Sequence, residues 1–193
     1  MAKNQESTKF QLELNEAYQK VLLWFFSYPT QEITLSELVK NIEISKTTAN
    51  RIVNRLVDEG FIRKKIVGKV WQLICNQKHP YNYTKRVWYN IMAIYGSGIL
   101  NKIYQKNLNP KTIILFGSYR KGDDTEESDI DIAVEVADNI ELKIEELGII
   151  SKLLYRKNVP VNIHIFSRNK IDLNLFANIA NGIILEGFLE VRP

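Results

Sequence analysis

The chain has 193 residues, of which 45% are hydrophobic, 10% aromatic and 25% charged, with a formal net charge of +4. This composition excludes a disordered chain, a collagen-like fibre and a small disulfide-stapled protein, and the length suffices for one large domain or two small ones. The longest apolar run, residues 21–26, is far shorter than the roughly 20 residues of a membrane-spanning helix, so we expect no membrane partner. The polar N-terminus without a secretory signal and the single Cys75 favour a cytoplasmic protein.

Charge divides the chain into two unlike parts. Residues 1–109 hold 16 Lys and Arg against 8 Asp and Glu, whereas residues 110–193 hold 10 against 14. Basic regions commonly meet phosphate backbones, because bound Lys and Arg release condensed counterions there. The asymmetry therefore favours two domains with different partners.

Three helices are predicted in the basic part. Apolar residues recur at helical spacing over residues 10–28, and Pro29 ends that helix. Thr34 and Glu37 form a capping-box pattern that begins a helix over 35–42. Ser45 caps a third helix, which Gly60 ends. One face of this third helix is apolar, and the other faces carry the candidates for DNA contact: Lys46, Thr47, Thr48, Asn50, Arg51 and Arg55.

After Gly60 the period changes to two, and the runs 61–67 and 69–75 around Gly68 predict a β-hairpin. The order of three helices and a basic hairpin resembles a winged helix-turn-helix over about residues 10–76. The resemblance implies that the third helix enters the major groove of DNA and that the hairpin contacts the phosphate backbone. The hairpin candidates are Arg63, Lys64, Lys65 and Lys69. The alternative is a dimerisation or docking module whose polar helix face is merely solvated.

Residues 81–108 are also predicted to be helical, with a break at 96–98 and Ser97 as the cap of the second segment. Trp88, Met92 and Tyr95 share one face with other apolar residues. We expect this region to connect the two halves and, through exposed aromatic residues, to favour a homodimer. The segment 107–110 marks the boundary of the acidic half.

The acidic half contains a pattern that points to phosphate chemistry. An apolar strand over 111–116 ends at Gly117 and Ser118, and a second strand places Asp129 and Asp131 on one face. Two carboxylates one pleat apart can share Mg²⁺, and a glycine turn with a hydroxyl donor can hold a phosphate. This combination indicates transfer of a nucleotidyl group. The acidic residues between the two strands, 123–127, are predicted to form a solvated, mobile loop.

The Gly-Ser-x-Arg-x-Gly opening and the Asp-x-Asp that ten residues separate from Ser118 resemble the signature of the minimal nucleotidyltransferases in the DNA polymerase β-like superfamily. The resemblance covers about residues 110–190. It implies that Gly117, Ser118 and Arg120 bind the triphosphate and that Asp129 and Asp131 are the catalytic, Mg²⁺-binding carboxylates. The implied reaction transfers a nucleotidyl group, AMP from ATP or the equivalent from another NTP, to a protein or other acceptor. Stand-alone members of this family often act as antitoxins that modify a partner toxin of the HEPN class, so the resemblance implies such a toxin as a possible protein acceptor.

The family also uses a third carboxylate, on a strand that follows a helix. We predict a helix over 140–157 and the strand over 159–166, where the family pattern would place Asp at Asn162. Asn162 as a possible third site position leaves two alternatives open: a weakened enzyme, or a site that binds nucleotide and metal without turnover. His164 is either a replacement base or a packing residue. A helix over 173–179 and a strand over 183–187 complete the predicted elements.

We therefore expect an α+β protein with three regions. Residues 1–78 form the winged helix-turn-helix, residues 79–109 the connecting helices, and residues 110–193 a minimal nucleotidyltransferase domain with a small mixed sheet flanked by helices. The rival hypothesis is a DNA-binding transcriptional regulator or antitoxin whose second domain binds nucleotide or a partner without catalysis.

Overall fold

The computed structural model describes residues 15–190. Its N-terminal part forms a three-stranded antiparallel sheet of order β1-β3-β2, packed on three helices. The elements are α1 Glu16–Ser27, β1 Ile33–Thr34, α2 Leu35–Ile42, α3 Lys46–Asp58, β2 Ile62–Val67 and β3 Val70–Cys75. The order and bounds follow the predicted winged helix, except that residues 10–14 of the first predicted helix lie outside the described residues.

The predicted helix caps are confirmed. Thr34 and Glu37 make both hydrogen bonds of a capping box at the start of α2. Ser45 accepts a hydrogen bond from the Thr48 amide at the start of α3, and Gly60 follows that helix with a φ of +83°. Such a backbone conformation suits glycine because no Cβ clashes with the preceding turn.

The second part is a mixed five-stranded sheet of order β6-β7-β5-β4-β8, with helices around it. Strands β5 and β7 are parallel, and the other neighbouring pairs are antiparallel. The elements are α4 Lys85–Gly96, α5 Ile99–Gln105, β4 Pro110–Phe116, α6 Gly117–Lys121, β5 Ile130–Val136, β6 Lys143–Leu153, β7 Arg156–Phe166, α7 Leu173–Ala180 and β8 Ile183–Gly187. The α+β class is therefore confirmed. No helix within residues 15–190 is long and apolar enough to span a membrane.

The helix predicted over 140–157 is wrong, because this segment contains strand β6 and the first residues of β7, which pair antiparallel as a hairpin. The register shifts between Glu146 and Gly148, so one extra residue, Leu147, is inserted in β6. Leu147, Ile150 and Leu153 pack against the same core, and the bulge accounts for the spacing of three between Leu147 and Ile150. Apolar residues three apart imitate a helical period, which explains the error.

The cap predicted at Ser97 is also displaced. Gly98, with a φ of +78°, is the residue that precedes α5, and it makes no side-chain capping hydrogen bond. The Ser97 hydroxyl donates to the Ile94 carbonyl of the previous helix at 2.7 Å and accepts from the Ile99 amide, the first of α5, at 3.4 Å. The short connection therefore combines the left-handed glycine with a long hydrogen bond to the predicted serine.

Helix α4 contacts the cores of both parts. Tyr89 belongs to the winged-helix core, where its ring lies 5.9 Å from that of Phe26. Ile94 belongs to the core of the five-stranded sheet. Trp88 and Met92, on the other side of α4, are about half exposed, at 49% and 47%. The aromatic face predicted from sequence is therefore mostly an outer surface.

The two faces of the five-stranded sheet have different surroundings. Ile113, Leu115 and Ile132 share a core with α4 and α5. Phe116 and Ala133 point to the opposite face, where α7 packs. Because side chains alternate along a strand, the polar candidates on β5 and β7 point to this same face, on which α7 packs: Asp131, Asn162 and His164.

Candidate functional site

Gly117 lies directly beside the carboxylate of Asp131. The last residue of β4, Phe116, is paired with Asp131 across the antiparallel ladder, and the chain turns immediately afterwards at Gly117 with a φ of +70°. A Cβ at this position would lie only 2.7 Å from the Asp131 Oδ2. The turn therefore requires glycine twice: for the backbone conformation and for the close approach of the carboxylate.

Strand β7 supplies one side-chain partner to each candidate carboxylate. The Asn162 Nδ2 donates to the Asp129 Oδ2 at 2.5 Å, and the His164 Nε2 lies 3.2 Å from the Asp131 Oδ1. The parallel register, in which Asp131 is opposite Asn162, brings these four side chains to one end of the sheet. Within residues 15–190 neither carboxylate is paired with Lys or Arg, so the two acids remain accessible to a cation.

The sequence left two roles for His164, a replacement base or a packing residue, and the structure shows its contacts. Its ring contacts the Phe116 ring edge to face, with centroids 4.8 Å apart. Its Nδ1 is buried and has no hydrogen-bond partner among the described residues. Packing on one side and a hydrogen bond to Asp131 on the other make His164 a residue that orients this carboxylate.

The candidate phosphate-binding residues Ser118 and Arg120 follow the turn on α6. Both side chains are partly exposed, and Arg120 lines a cleft of about 210 Å³ between α6 and α7, together with Gly117. The predicted glycine turn, hydroxyl, arginine and carboxylates are therefore brought together at one edge of the sheet.

The predicted solvated loop over 123–127 is instead attached to α4. Asp124 is 3% exposed, and its Oδ2 accepts a hydrogen bond from the Arg86 Nη2 at 2.8 Å. The Arg86 guanidinium, itself 2% exposed, also binds the carbonyls of Gly122 and Asp124. The Asn90 amide donates to the Asp124 Oδ1 at 2.9 Å and to the Tyr119 carbonyl at 3.1 Å. Burial raises the pKa of Asp124, and the charge of Arg86 opposes that rise.

The prediction for this loop failed because its partner is distant in sequence. The available signal was Arg86 and Asn90, two polar residues at a helical spacing of four on a helix that is mostly apolar after its first turn. A second support comes from Arg156 on β7, whose guanidinium binds the Tyr119 hydroxyl and, at 2.6 Å, the Ser128 carbonyl. The connection between the glycine turn and Asp129 is therefore held at both ends.

Some of the candidate DNA-binding residues are exposed to solvent, whereas others contact residues of the protein. Lys46, Thr47 and Arg51 are exposed on α3, as are Lys65 and Lys69 on the hairpin. A groove of about 270 Å³ runs between α3 and the hairpin and is lined by Lys46, Asn50 and Lys69. This groove opens on the basic face of the winged helix.

The remaining DNA candidates make contacts within the protein. The Arg55 Nε is 2.9 Å from Glu59, and its guanidinium lies over the Tyr18 ring at 4.8 Å. Lys64 donates to Asn54 and lies 4.1 Å from the centre of the Trp71 ring. Arg63 donates a hydrogen bond to the Asn76 side chain, and the Ser45 hydroxyl donates one to the Thr48 hydroxyl.

Comparison with known proteins matches the two parts to different families. Residues 99–186 match the family described as polymerase beta, nucleotidyltransferase. Residues 28–66 match the MarR family. A protein of Methanocaldococcus jannaschii named as a protein adenylyltransferase is 55% identical over 38 residues. That match covers 20% of this chain and 38% of the relative's length.

The matches and the geometry agree on both parts of the chain. The MarR match spans α2, α3 and most of β2, and the other match includes the glycine turn, both candidate aspartates and the strands that hold them. Residues 99–186 therefore resemble a nucleotidyltransferase domain of the polymerase β type, and residues 28–66 resemble part of the MarR family and form most of a winged helix.

Proposed function

We propose that the chain is an Mg²⁺-dependent enzyme that transfers AMP from ATP to a protein acceptor and binds DNA through its winged helix. The observation that carries the enzymatic part is the position of the Asp131 carboxylate against the Gly117 turn, with Asp129 next to it. The relative named as a protein adenylyltransferase supports AMP as the group and protein as the acceptor.

The donor set fits Mg²⁺. No group of three or more His, Cys, Asp and Glu side chains suited to a metal occurs in residues 15–190. Mg²⁺, however, is usually bound by one or two carboxylates together with substrate phosphates, rather than by a closed protein cage. Asp129 and Asp131 would hold it, and it would supply charge stabilisation at the α-phosphorus as pyrophosphate leaves.

The protein's own residues bind and orient the substrate. Ser118 and Arg120 offer a hydroxyl and a guanidinium to the polyphosphate, beside a turn that lets the backbone approach it. Asn162 and His164 hold the two carboxylates in place. An amide cannot take up a proton as a carboxylate does, so Asn162 cannot act as the base for the acceptor hydroxyl.

A second candidate function follows from Asn162. Its hydrogen bond to Asp129 occupies the carboxylate that would otherwise face a third acid, which favours a domain that binds nucleotide without turnover. In that case the chain is a regulator or antitoxin rather than an enzyme, and the winged helix would perform its main activity.

Transfer of label from ATP separates these two functions. Label at the α-phosphorus is expected to appear on the acceptor protein, whereas label at the γ-phosphorus leaves with pyrophosphate. The Asn162→Asp variant restores a possible base and is expected to increase the transfer rate about 10²-fold, the low end for general base catalysis. Nucleotide binding without α-label transfer in both proteins would establish the non-catalytic function.

For the winged helix, we propose that Arg51, Lys46 and Lys69 contact the DNA backbone, while Arg55 supports the fold. Arg51→Ala is expected to weaken binding and to reduce the slope of log K against log salt by about 0.9 for one lost phosphate contact. Arg55→Ala is the matched control, because this residue lies on the same helix but is paired with Glu59. Equal loss of salt dependence in both variants would contradict the assignment.

We also propose the division into residues 1–78, 79–109 and 110–193, supported by separate buried clusters for the winged helix and the five-stranded sheet. The exposed aromatic face of α4 supports a homodimer or a protein partner. A HEPN-type toxin as the acceptor rests on the family resemblance alone.

A further inference from the structure

A cleft of about 210 Å³ between α6 and α7 lies directly beside the candidate active site. Gly117, which touches the Asp131 carboxylate, is part of its wall. The other lining residues are Phe116, Arg120, Lys121, Leu175, Asn178 and Asn181. The cleft is therefore on the face of the sheet that carries the candidate carboxylates.

The two sides of this cleft have different chemistry. The α6 side presents the cations of Arg120 and Lys121, which suit a polyphosphate. The α7 side presents the Leu175 side chain with two amides, Asn178 and Asn181, which suits a flat apolar ring with a polar edge. In a nucleotide whose phosphates lie at the Gly117 turn, one ribose separates the base from the phosphates, so this cleft is within reach of the base.

The two amides are able to bind a ligand. Asn178 is exposed, and within the part of the chain that the structure describes its side chain makes no hydrogen bond. The Asn181 Nδ2 donates to the Ala177 carbonyl at 2.8 Å. This bond fixes the Asn181 side chain and leaves its amide oxygen to accept a hydrogen bond.

We propose that this cleft holds the base of the nucleotide and that Asn178 and Asn181 select adenine. The proposal rests on the proposed function, since it concerns the substrate of the same site. An amide pairs with adenine because its oxygen accepts from the N6 amino group while its nitrogen donates to N7. Guanine presents two acceptors, N7 and O6, along the same edge, so one amide oxygen would remain unpaired.

Equilibrium binding to the full chain tests this assignment. The probes are the α,β-methylene analogues of ATP and GTP with Mg²⁺, which cannot undergo transfer, and the readout is the Kd from titration calorimetry. We expect the unmodified chain to bind the ATP analogue more tightly. Asn178→Ala is expected to weaken binding of the ATP analogue about tenfold, the effect of one or two hydrogen bonds, and to leave the GTP analogue unchanged.

Asn174→Ala is the matched control, because Asn174 is an exposed asparagine on the same helix but outside the cleft. Loss of the preference for adenine in Asn178→Ala, but not in Asn174→Ala, supports the proposal. Binding of both analogues with unchanged selectivity overturns the base assignment and leaves the proposed function standing. Absence of any nucleotide binding by the unmodified chain overturns both.

Discussion

Gly117→Ala is expected to lower nucleotidyl transfer about 10³-fold, the upper range for removal of one preorganised group from an active site. The added Cβ would lie 2.7 Å from the Asp131 Oδ2, and real Cβ atoms do not approach other atoms so closely. Either the turn or the carboxylate must therefore move. Because Asp131 is paired with Phe116 in the sheet, we expect its side chain to rotate away from the position in which it would hold Mg²⁺.

Gly98→Ala is the matched control for this variant. Gly98 also has a positive φ, +78°, but a Cβ there would meet no atom within 4 Å. Both variants carry the conformational cost of a side chain in the left-handed region, roughly 1–2 kcal/mol. The difference between their transfer rates, measured with α-labelled ATP, isolates the contact with Asp131. Equal rates in the two variants would show that Asp131 is not required in its observed position.

Asp124→Asn is expected to destabilise the protein by about 3–5 kcal/mol, because it leaves the buried Arg86 cation without its counter-charge. Arg86 and Asp124 are 2% and 3% exposed, and the Arg86 Nε has no hydrogen-bond partner among the described residues. The hydrogen bonds to main-chain carbonyls remain in the variant, but they do not neutralise the charge. Urea denaturation measures the loss as a decrease in the free energy of unfolding.

Two further variants separate charge from volume. Glu145→Gln disrupts a more exposed ion pair with Lys106 and is expected to cost about 0.2–1 kcal/mol. Replacement of Arg86 with Met and Asp124 with Leu together is expected to recover most of the stability, since apolar residues of similar volume often replace a buried ion pair at little cost. A loss in Asp124→Asn no larger than that in Glu145→Gln would contradict the importance of the buried pair.

The same ion pair links the two parts of the chain. Arg86 and Asn90 lie on α4, which packs on the winged helix through Tyr89, while Asp124 lies between the glycine turn and Asp129. The spacing between the glycine turn and the candidate carboxylates therefore depends on a helix outside both strands. Helix α4 therefore positions the segment between the glycine turn and Asp129, although the sequence indicated only that this helix connects the two parts.

Local patterns were sufficient for the winged helix. The caps at Thr34, Ser45 and Gly60 were predictable because each depends on residues within a few positions of one another. The hairpin around Gly68 was predictable for the same reason. In β6, by contrast, apolar residues recur at a spacing of three, in part because of the bulge at Leu147, and only pairing with β7 shows which structure forms.

For the candidate active site, the sequence by itself determined the glycine turn and the two aspartates, because their spacing along adjacent strands places them at one end of a sheet. The tertiary structure decided the rest: Asn162 and His164 hold those carboxylates, Asn178 and Asn181 face the neighbouring cleft, and Arg86 neutralises Asp124. Each of these contacts joins residues that are well separated along the chain. No local period or motif encodes such a contact, since it depends on how whole elements pack against one another.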